Sequence, residues 1–148
     1  MLRYDSMPRA EHEIVVAASI DRAFDVIVDF ERYPEFLPEM REVQVLDRQD
    51  RVAIVRFDLE LIMRISYTLR FEEKRPAALT WTLKEAKMLA ASTGGWTLVA
   101  VNDASTRINY SLEVQLKGLI PKSVSTRLLG TTLPETLSRF KQRIEGKA

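Results

Sequence analysis

Six stretches between residues 41 and 116 alternate apolar and polar side chains with a period of two. "RVAIVRFDLEL" (51–61) sets Ala53, Val55, Phe57, Leu59 and Leu61 on one face, and "RISYTLRFEE" (64–73) does the same with Ile65, Tyr67, Leu69 and Phe71. "REVQVLD" (41–47) alternates Val43 and Val45 with polar neighbours. "LTWTLKE" (79–85) offers Leu79, Trp81 and Leu83, and "GGWTLVAV" (94–101) offers Trp96, Leu98 and Ala100. In "TRINYSLEVQL" (106–116), Ile108, Tyr110, Leu112, Val114 and Leu116 stand against Arg107, Asn109, Ser111, Glu113 and Gln115. Successive side chains of a strand point to opposite faces, so this pattern predicts an antiparallel sheet with one face buried and one wet. Such a sheet needs a cover.

The cover has to come from the two ends of the chain. "EHEIVVA" (11–17) reads as a first strand, rich in β-branched residues. "SIDRAFDVIVDF" (19–30) predicts a helix: Ser19 suits the N-cap, Asp21 the first turn, and Ile20, Phe24, Ile27 and Val28 form an apolar stripe. "PKSVSTRLLGTTLPETLSRFKQRIE" (121–145) predicts a long terminal helix with Pro121 at its first position. Its stripe runs through Val124, Leu128, Leu133, Leu137, Phe140 and Ile144. Pro134 removes a hydrogen bond and clashes with the carbonyl of residue 130, so a bend is expected around Gly130–Pro134. The order is β-α-α-β6-α, an α+β class with about seven strands. The expected architecture is a curved antiparallel sheet wrapped around the long C-terminal helix, with Leu133 and Leu137 facing the sheet.

"DFERYPEFLPEM" (29–40) interrupts this pattern. Pro34 and Pro38 disfavour helical geometry at the residues before them, so only a short helical piece fits. Yet Phe30, Tyr33, Phe36 and Leu37 give it much apolar surface. Phe57, Tyr67, Phe71, Trp81, Trp96 and Tyr110 add a surplus of large inward rings to a sheet that one helix has to cover. Two arrangements satisfy this: a solid core, or an apolar cavity ringed by Tyr33, Phe36, Phe57, Tyr67, Trp81, Trp96, Tyr110 and Leu133.

Other chemistry is sparse. The chain has 148 residues, which suits one domain (1–148, with 1–9 a loose lead-in and Met7 an alternative start). A net charge of +1 predicts no strong bulk attraction to nucleic acid, and at most weak contact with membranes. With no cysteine and His12 the only histidine, no metal site or cofactor is expected. A cytoplasmic location fits the absence of cysteine. No P-loop, G-x-G-x-x-G or G-x-S-x-G motif occurs, and no catalytic residue is assigned. Arg56, Asp58 and Glu60 share the polar face of one strand, where Arg64 and Arg70 are placed to pair with them. Tyr67 and Tyr110 are the candidates for polar contacts inside, because a buried phenol needs a partner. The turn in "LELIMRIS" (59–66) carries no usual turn residue, and "LKGLIP" (116–121) is also apolar. Leu61, Ile62, Met63, Leu119 and Ile120 are therefore candidates for a greasy rim where a ligand enters or a membrane or partner protein is touched.

The element order, "VDFERYPEFLP" after the first helix and "GGW" (94–96) opening a strand resemble the START-like helix-grip (SRPBCC) superfamily. The resemblance covers residues 10 to 145 and is nearest to the polyketide cyclase/dehydrase and coenzyme-Q-binding branch. It implies an internal cavity for hydrophobic small molecules, with residues 30–38 at its mouth. Three functions stay open: binding or carriage of a hydrophobic molecule (isoprenoid quinone, lipid or polyketide-like); a polyketide aromatase/cyclase; and a ribosome-association-type interaction protein.

Overall fold

The computed structural model describes residues 9–60, 63–117 and 132–146. Seven strands form one antiparallel sheet: β1 (Arg9–Val16), β2 (Met40–Gln49), β3 (Val52–Glu60), β4 (Arg64–Lys74), β5 (Ala78–Ala86), β6 (Leu89–Asn102) and β7 (Ser105–Leu116). Their order in the sheet is β1-β7-β6-β5-β4-β3-β2, so β2 to β7 form a meander and β1 closes against β7. This leaves β1 and β2 on opposite edges. The chain between them must cross the concave face, and it does so as helix α1 (Ile20–Ile27) followed by a 3₁₀ helix (Phe30–Glu35). The terminal helix α2 (Thr132–Ile144) lies on the same face and buries Leu137, Phe140 and Ile144.

Local chemistry explains these elements. The Ser19 hydroxyl caps α1 by accepting from the Arg22 amide, at 3.2 Å. The helix buries Ala23, Phe24 and Ile27 completely, each large side chain contributing about 1.5–3 kcal/mol of transfer free energy. Helix α1 ends at Ile27, short of the expected Phe30, with Val28 as its cap. Phe30 instead opens the 3₁₀ helix, whose tighter winding turns its ring onto Phe71, with centroids 4.5 Å apart. The other bounds also differ from expectation. Strand β1 begins at Arg9, within the expected lead-in, and β6 begins five residues before "GGW", because Leu89 and Ser92 continue its buried face. Ala100, expected inward, is exposed beside the register shift at Ala100/Asn102. Further shifts in β2, and at Lys84 in β5 opposite Thr68 and Leu69, bend the sheet.

Pro134 sits in the first described turn of α2, while Pro121, Val124, Leu128 and Gly130, and with them the expected bend, lie outside the described residues. Among the described residues, no helix is long and apolar enough to cross a membrane. Of the expected ion pairs, Arg64 does reach Glu60 across the turn, at 3.8 Å. Arg70 does not; it pairs with Glu72 on its own strand at 2.8 Å, because its cross-strand partner is Ile54.

Polar contacts pin the C-terminal end of α2 to the crossing segment. The Arg22 guanidinium donates to the carbonyls of Ile144 and Arg143, at 3.0 and 3.4 Å, satisfying carbonyls left free at the helix end. Lys141 donates to the Val15 carbonyl at 2.6 Å, and the Glu145 carboxylate accepts from the Ala17 amide at 2.7 Å. Arg143 is paired with Glu35 and lies over the Phe36 ring, 5.1 Å from its centroid.

The "GGW" motif has a steric cause. Gly94 pairs with Trp81 across β5 and β6, and a Cβ built on Gly94 would lie 2.2 Å from the Ser111 carbonyl oxygen and 2.6 Å from the Trp81 ring. The missing side chain is what lets the indole lie flat against β6, with its N–H donating to the Ser92 hydroxyl at 3.3 Å.

Two predictions follow from this packing. Gly94→Ala should cost about 1–3 kcal/mol through overpacking and shift the tryptophan emission, both read in a denaturant titration; an unchanged midpoint would contradict the steric account. The second concerns the Glu35–Arg143 clasp. The Arg143 hydrogen bond holds the Glu35 carboxyl below its usual range, so its contribution is present above the unfolded pKa and lost as pH falls through the folded one. The stability difference between wild type and Glu35→Gln should therefore be largest at neutral pH, begin to shrink near the reference glutamate value of about 4.3, and vanish only below the lowered folded pKa. A difference that persists in acid would show that the clasp acts otherwise.

Candidate functional site

The concave face carries a closed circuit of rings. Phe57 on β3 meets Phe71 on β4 at 6.0 Å between centroids, Phe71 meets Trp81 on β5 at 5.8 Å, and Trp81 meets Tyr110 on β7 at 5.6 Å. Tyr110 meets Trp96 on β6 at 4.7 Å, and Trp96 meets Phe140 of α2 at 4.9 Å. Phe140 then meets Tyr33 of the 3₁₀ helix at 5.2 Å, and Tyr33 returns to Phe57 at 6.3 Å. Edge-to-face and tilted pairs of this kind favour each other by about 0.5–1.5 kcal/mol beyond burial. Five strands, the crossing segment and the terminal helix are thus tied by one aromatic contact path.

Inside the circuit lies a cavity of about 100 Å³. The strands line it with Phe57, Tyr67, Leu69, Phe71, Trp81, Trp96 and Tyr110. The crossing segment adds Tyr33 and Leu37, Met40 closes the start of β2, and Thr136, Leu137 and Phe140 come from α2. No carboxylate, histidine, lysine or arginine is among these described lining residues. At this size the cavity holds about three waters or one small ring.

Six of the eight residues expected around a cavity line it: Tyr33, Phe57, Tyr67, Trp81, Trp96 and Tyr110. Phe36 does not; it packs behind the wall, against Phe140 at 5.0 Å and Tyr33 at 5.9 Å, because Arg143 covers its ring from outside. The Leu133 side chain lies outside the described residues, as do Leu61, Ile62, Leu119 and Ile120 of the expected rim. Met63 is half-buried against Leu59 and Ile65, beside Met40, Met88 and Tyr67, a soft cluster bordering the cavity at Met40 and Tyr67. Leu37, Met40, Leu69, Phe71, Thr136, Leu137 and Phe140 also line it, though none is among the residues expected around a cavity. Leu137 and Phe140 were visible in the helix stripe, but nothing in their spacing told wall from core.

The three cavity tyrosines differ. The Tyr33 hydroxyl donates to the Ile27 carbonyl at 2.5 Å. The hydroxyls of Tyr67 and Tyr110 make no hydrogen bond among the described residues, yet neither is sealed off: the one fully buried polar side-chain atom without a partner there is Arg139 Nε. Desolvation raises the pKa of both, and Tyr67 adds to the rise at Tyr110, so each phenol stays protonated and is a hydrogen-bond donor at physiological pH.

A second, more polar cleft of about 480 Å³ opens on the sheet itself. Strands β5 and β6 pair only from Ala78↔Thr97 to Thr82↔Thr93 and then part, leaving the cleft between Leu83–Ala86 and Leu89–Ser92. Lys117 bridges it, its amide donating to the Met88 carbonyl at 2.8 Å and its ammonium reaching the Ala86 carbonyl at 3.5 Å.

Known proteins share this fold. A START superfamily protein from Mycobacterium smegmatis superposes with a TM-score of 0.82 at 22% identity, covering 95% of this chain and 99% of the other. The Zhui aromatase/cyclase from Streptomyces sp. R1128 gives 0.79 at 17% identity, covering 95% and 93%. The mitochondrial steroidogenic acute regulatory protein of Mus musculus is 22% identical over 154 residues; the match covers 90% of this chain and 54% of the relative, so the chain spans about half that protein's length. The model of one family, described as polyketide cyclase/dehydrase and lipid transport, matches residues 16–141, and by that match over most of its length the chain belongs to this family.

Proposed function

We propose that the protein binds and carries a hydrophobic small molecule, such as an isoprenoid quinone, a lipid or a polyketide-like compound, in the aromatic-lined cavity. The observation that carries this reading is the wall itself: among the described residues it consists of large apolar side chains, phenols and one threonine, with no carboxylate, histidine, lysine or arginine. Phenols raised by burial donate hydrogen bonds but give up protons poorly, so the wall supports binding over cyclase chemistry. Family membership and the aromatase/cyclase of similar fold support the same class of ligand.

Size sets a condition. Pockets for drug-sized ligands run to about 300–1,000 Å³, several times the free room here. A quinone or polyketide must therefore push the wall outward. The wall is soft in two places. Met40 is an unbranched, adaptable side chain, and α2 packs its backbone mainly against β1 and α1, on the side away from β3, β4 and β5.

Organic extraction of the purified protein, after native mass spectrometry, should release a hydrophobic compound in near-stoichiometric amount. Trp81→Ala separates the open wall from a filled core on one variant. With the ring at a cavity wall, the stability loss should fall short of the roughly 3–5 kcal/mol typical of a filled site, while binding of an apolar fluorescent dye changes. A full loss, together with no dye binding by the wild type, would mean that the interior is solid and the carrier reading is wrong.

A further inference from the structure

Resting on the binding reading above, we infer that Met40, Met63 and Met88 form a tail subsite, a methionine-lined extension of the cavity that takes a flexible alkyl chain, so that the ligand is a ring bearing an aliphatic tail and not a compact ring alone. Three observations carry this. The first is convergence. The chain has five methionines, and the three within the described residues come from three separate places, the start of β2, the β3–β4 turn and the β5–β6 turn, yet all three pack on Leu59 and Ile65. The second is position. Leu59 and Ile65 form a small apolar cluster apart from the main core, and among the described residues only Met40 and Tyr67 pack against both. Both also line the cavity, so the cluster continues the cavity towards these turns. The third is the backbone beside it. Strands β5 and β6 stop pairing after Thr82↔Thr93, so the Met88 tip lacks ladder bonds within its own hairpin and is held by the Lys117 amide, which donates to its carbonyl at 2.8 Å. A segment with few pairing bonds yields at lower cost than the sheet beside it.

The opposite side of the cavity is stiff. Phe71 meets Trp81 at 5.8 Å and Trp96 meets Phe140 at 4.9 Å, and beyond these rings Ile27 and Ile144 are fully buried. The free room of about 100 Å³ takes one small ring, so any longer ligand has to extend through a side that gives way. Methionine suits that side. Its unbranched thioether follows a chain of changing shape, where a leucine or isoleucine would hold one shape. Each methylene of a tail laid against it leaves water and adds affinity. The competing arrangement is a filled satellite cluster that only plugs the end of the sheet.

The test uses para-ethylphenol and para-octylphenol, which share a ring and differ in the chain, titrated into protein with isotope-labelled methionine and isoleucine methyls and followed by NMR. Single variants (Met40→Leu, Met63→Leu, Met88→Leu, Ile27→Val and Ile144→Val) assign the signals. The ethyl probe should shift Met40 and leave Met63 and Met88 in place, whereas the octyl probe should shift all three. The wild type should bind the octyl probe at least about tenfold more tightly, which burial of roughly two of the added methylenes already gives. Replacing Met63→Gln together with Met88→Gln, close in shape but polar, should cut that octyl-to-ethyl ratio by about fivefold or more. A general loss of stability weakens both probes alike and leaves the ratio unchanged. An octyl probe that moves Met40 alone, or moves Ile27 and Ile144 instead, overturns the tail subsite, and so does an unchanged ratio in the double variant. Equal affinity of the wild type for both phenols overturns it too; in each of these cases cavity binding still stands. If neither phenol nor an apolar dye binds the wild type, the binding reading falls along with the subsite.

Discussion

Placing β1 and β2 on opposite edges of the sheet forces residues 17–39 across the whole concave face. Much of the packing on that face is made by this crossing. It carries Phe24, Ile27, Phe30 and Tyr33 into the interior, and it supplies the Arg22 guanidinium, the Ala17 amide and the Glu35 carboxylate that hold the end of the terminal helix. Thr106 donates to the Ala18 carbonyl at 2.9 Å where the crossing begins, and Arg75 pairs with Asp25 at 2.8 Å while lying over the Phe24 ring. At the far side Arg48 donates to the Val28 carbonyl and the Glu31 carboxylate accepts from the Val45 amide, both at 3.1 Å. That last bond satisfies a donor on the edge strand β2, next to its register shift.

The crossing also divides the interior. On one side α1 and the C-terminal turns of α2 pack tightly, with Phe24, Ile27 and Ile144 essentially without exposure. On the other side the aromatic circuit stands around free volume. A protein that bound its ligand by general looseness would show no such asymmetry. Here the rigid half fixes α2 at its end, through Arg22, Lys141 and Arg143, and the other half is left to rings, leucines and methionine that can rearrange. Unfilled volume is a cost to stability. The fully buried contacts beside it are what the fold has to offset that cost.

Much of this was legible beforehand. The alternation in 51–61, 64–73 and 106–116 named the strands and their inner faces, because a sheet with one wet face permits no other period. The Ser19 cap and the short helical piece before Pro38 could also be read locally. What local reading misjudged were ends: α1 stopped at Ile27 and β6 began at Leu89, both set by neighbours far away in the chain. "GGW" was legible as a motif without a cause, since the Trp81 indole that requires Gly94 comes from another strand.

The sequence alone determined the sheet, its inner face and the surplus of inward rings. These follow from side-chain period and composition, which are properties of neighbours in the chain. Whether those rings filled the interior or enclosed a space was not determined by it, and neither was which tyrosines lacked partners. Phe36 and Phe140 have the same side chain, yet one lies behind the wall and the other forms it. Tyr33 and Tyr110 likewise share a hydroxyl, yet only Tyr33 reaches a carbonyl. Only the tertiary structure decided these, because free volume and hydrogen-bond satisfaction depend on how distant segments approach one another, and no local pattern encodes that distance.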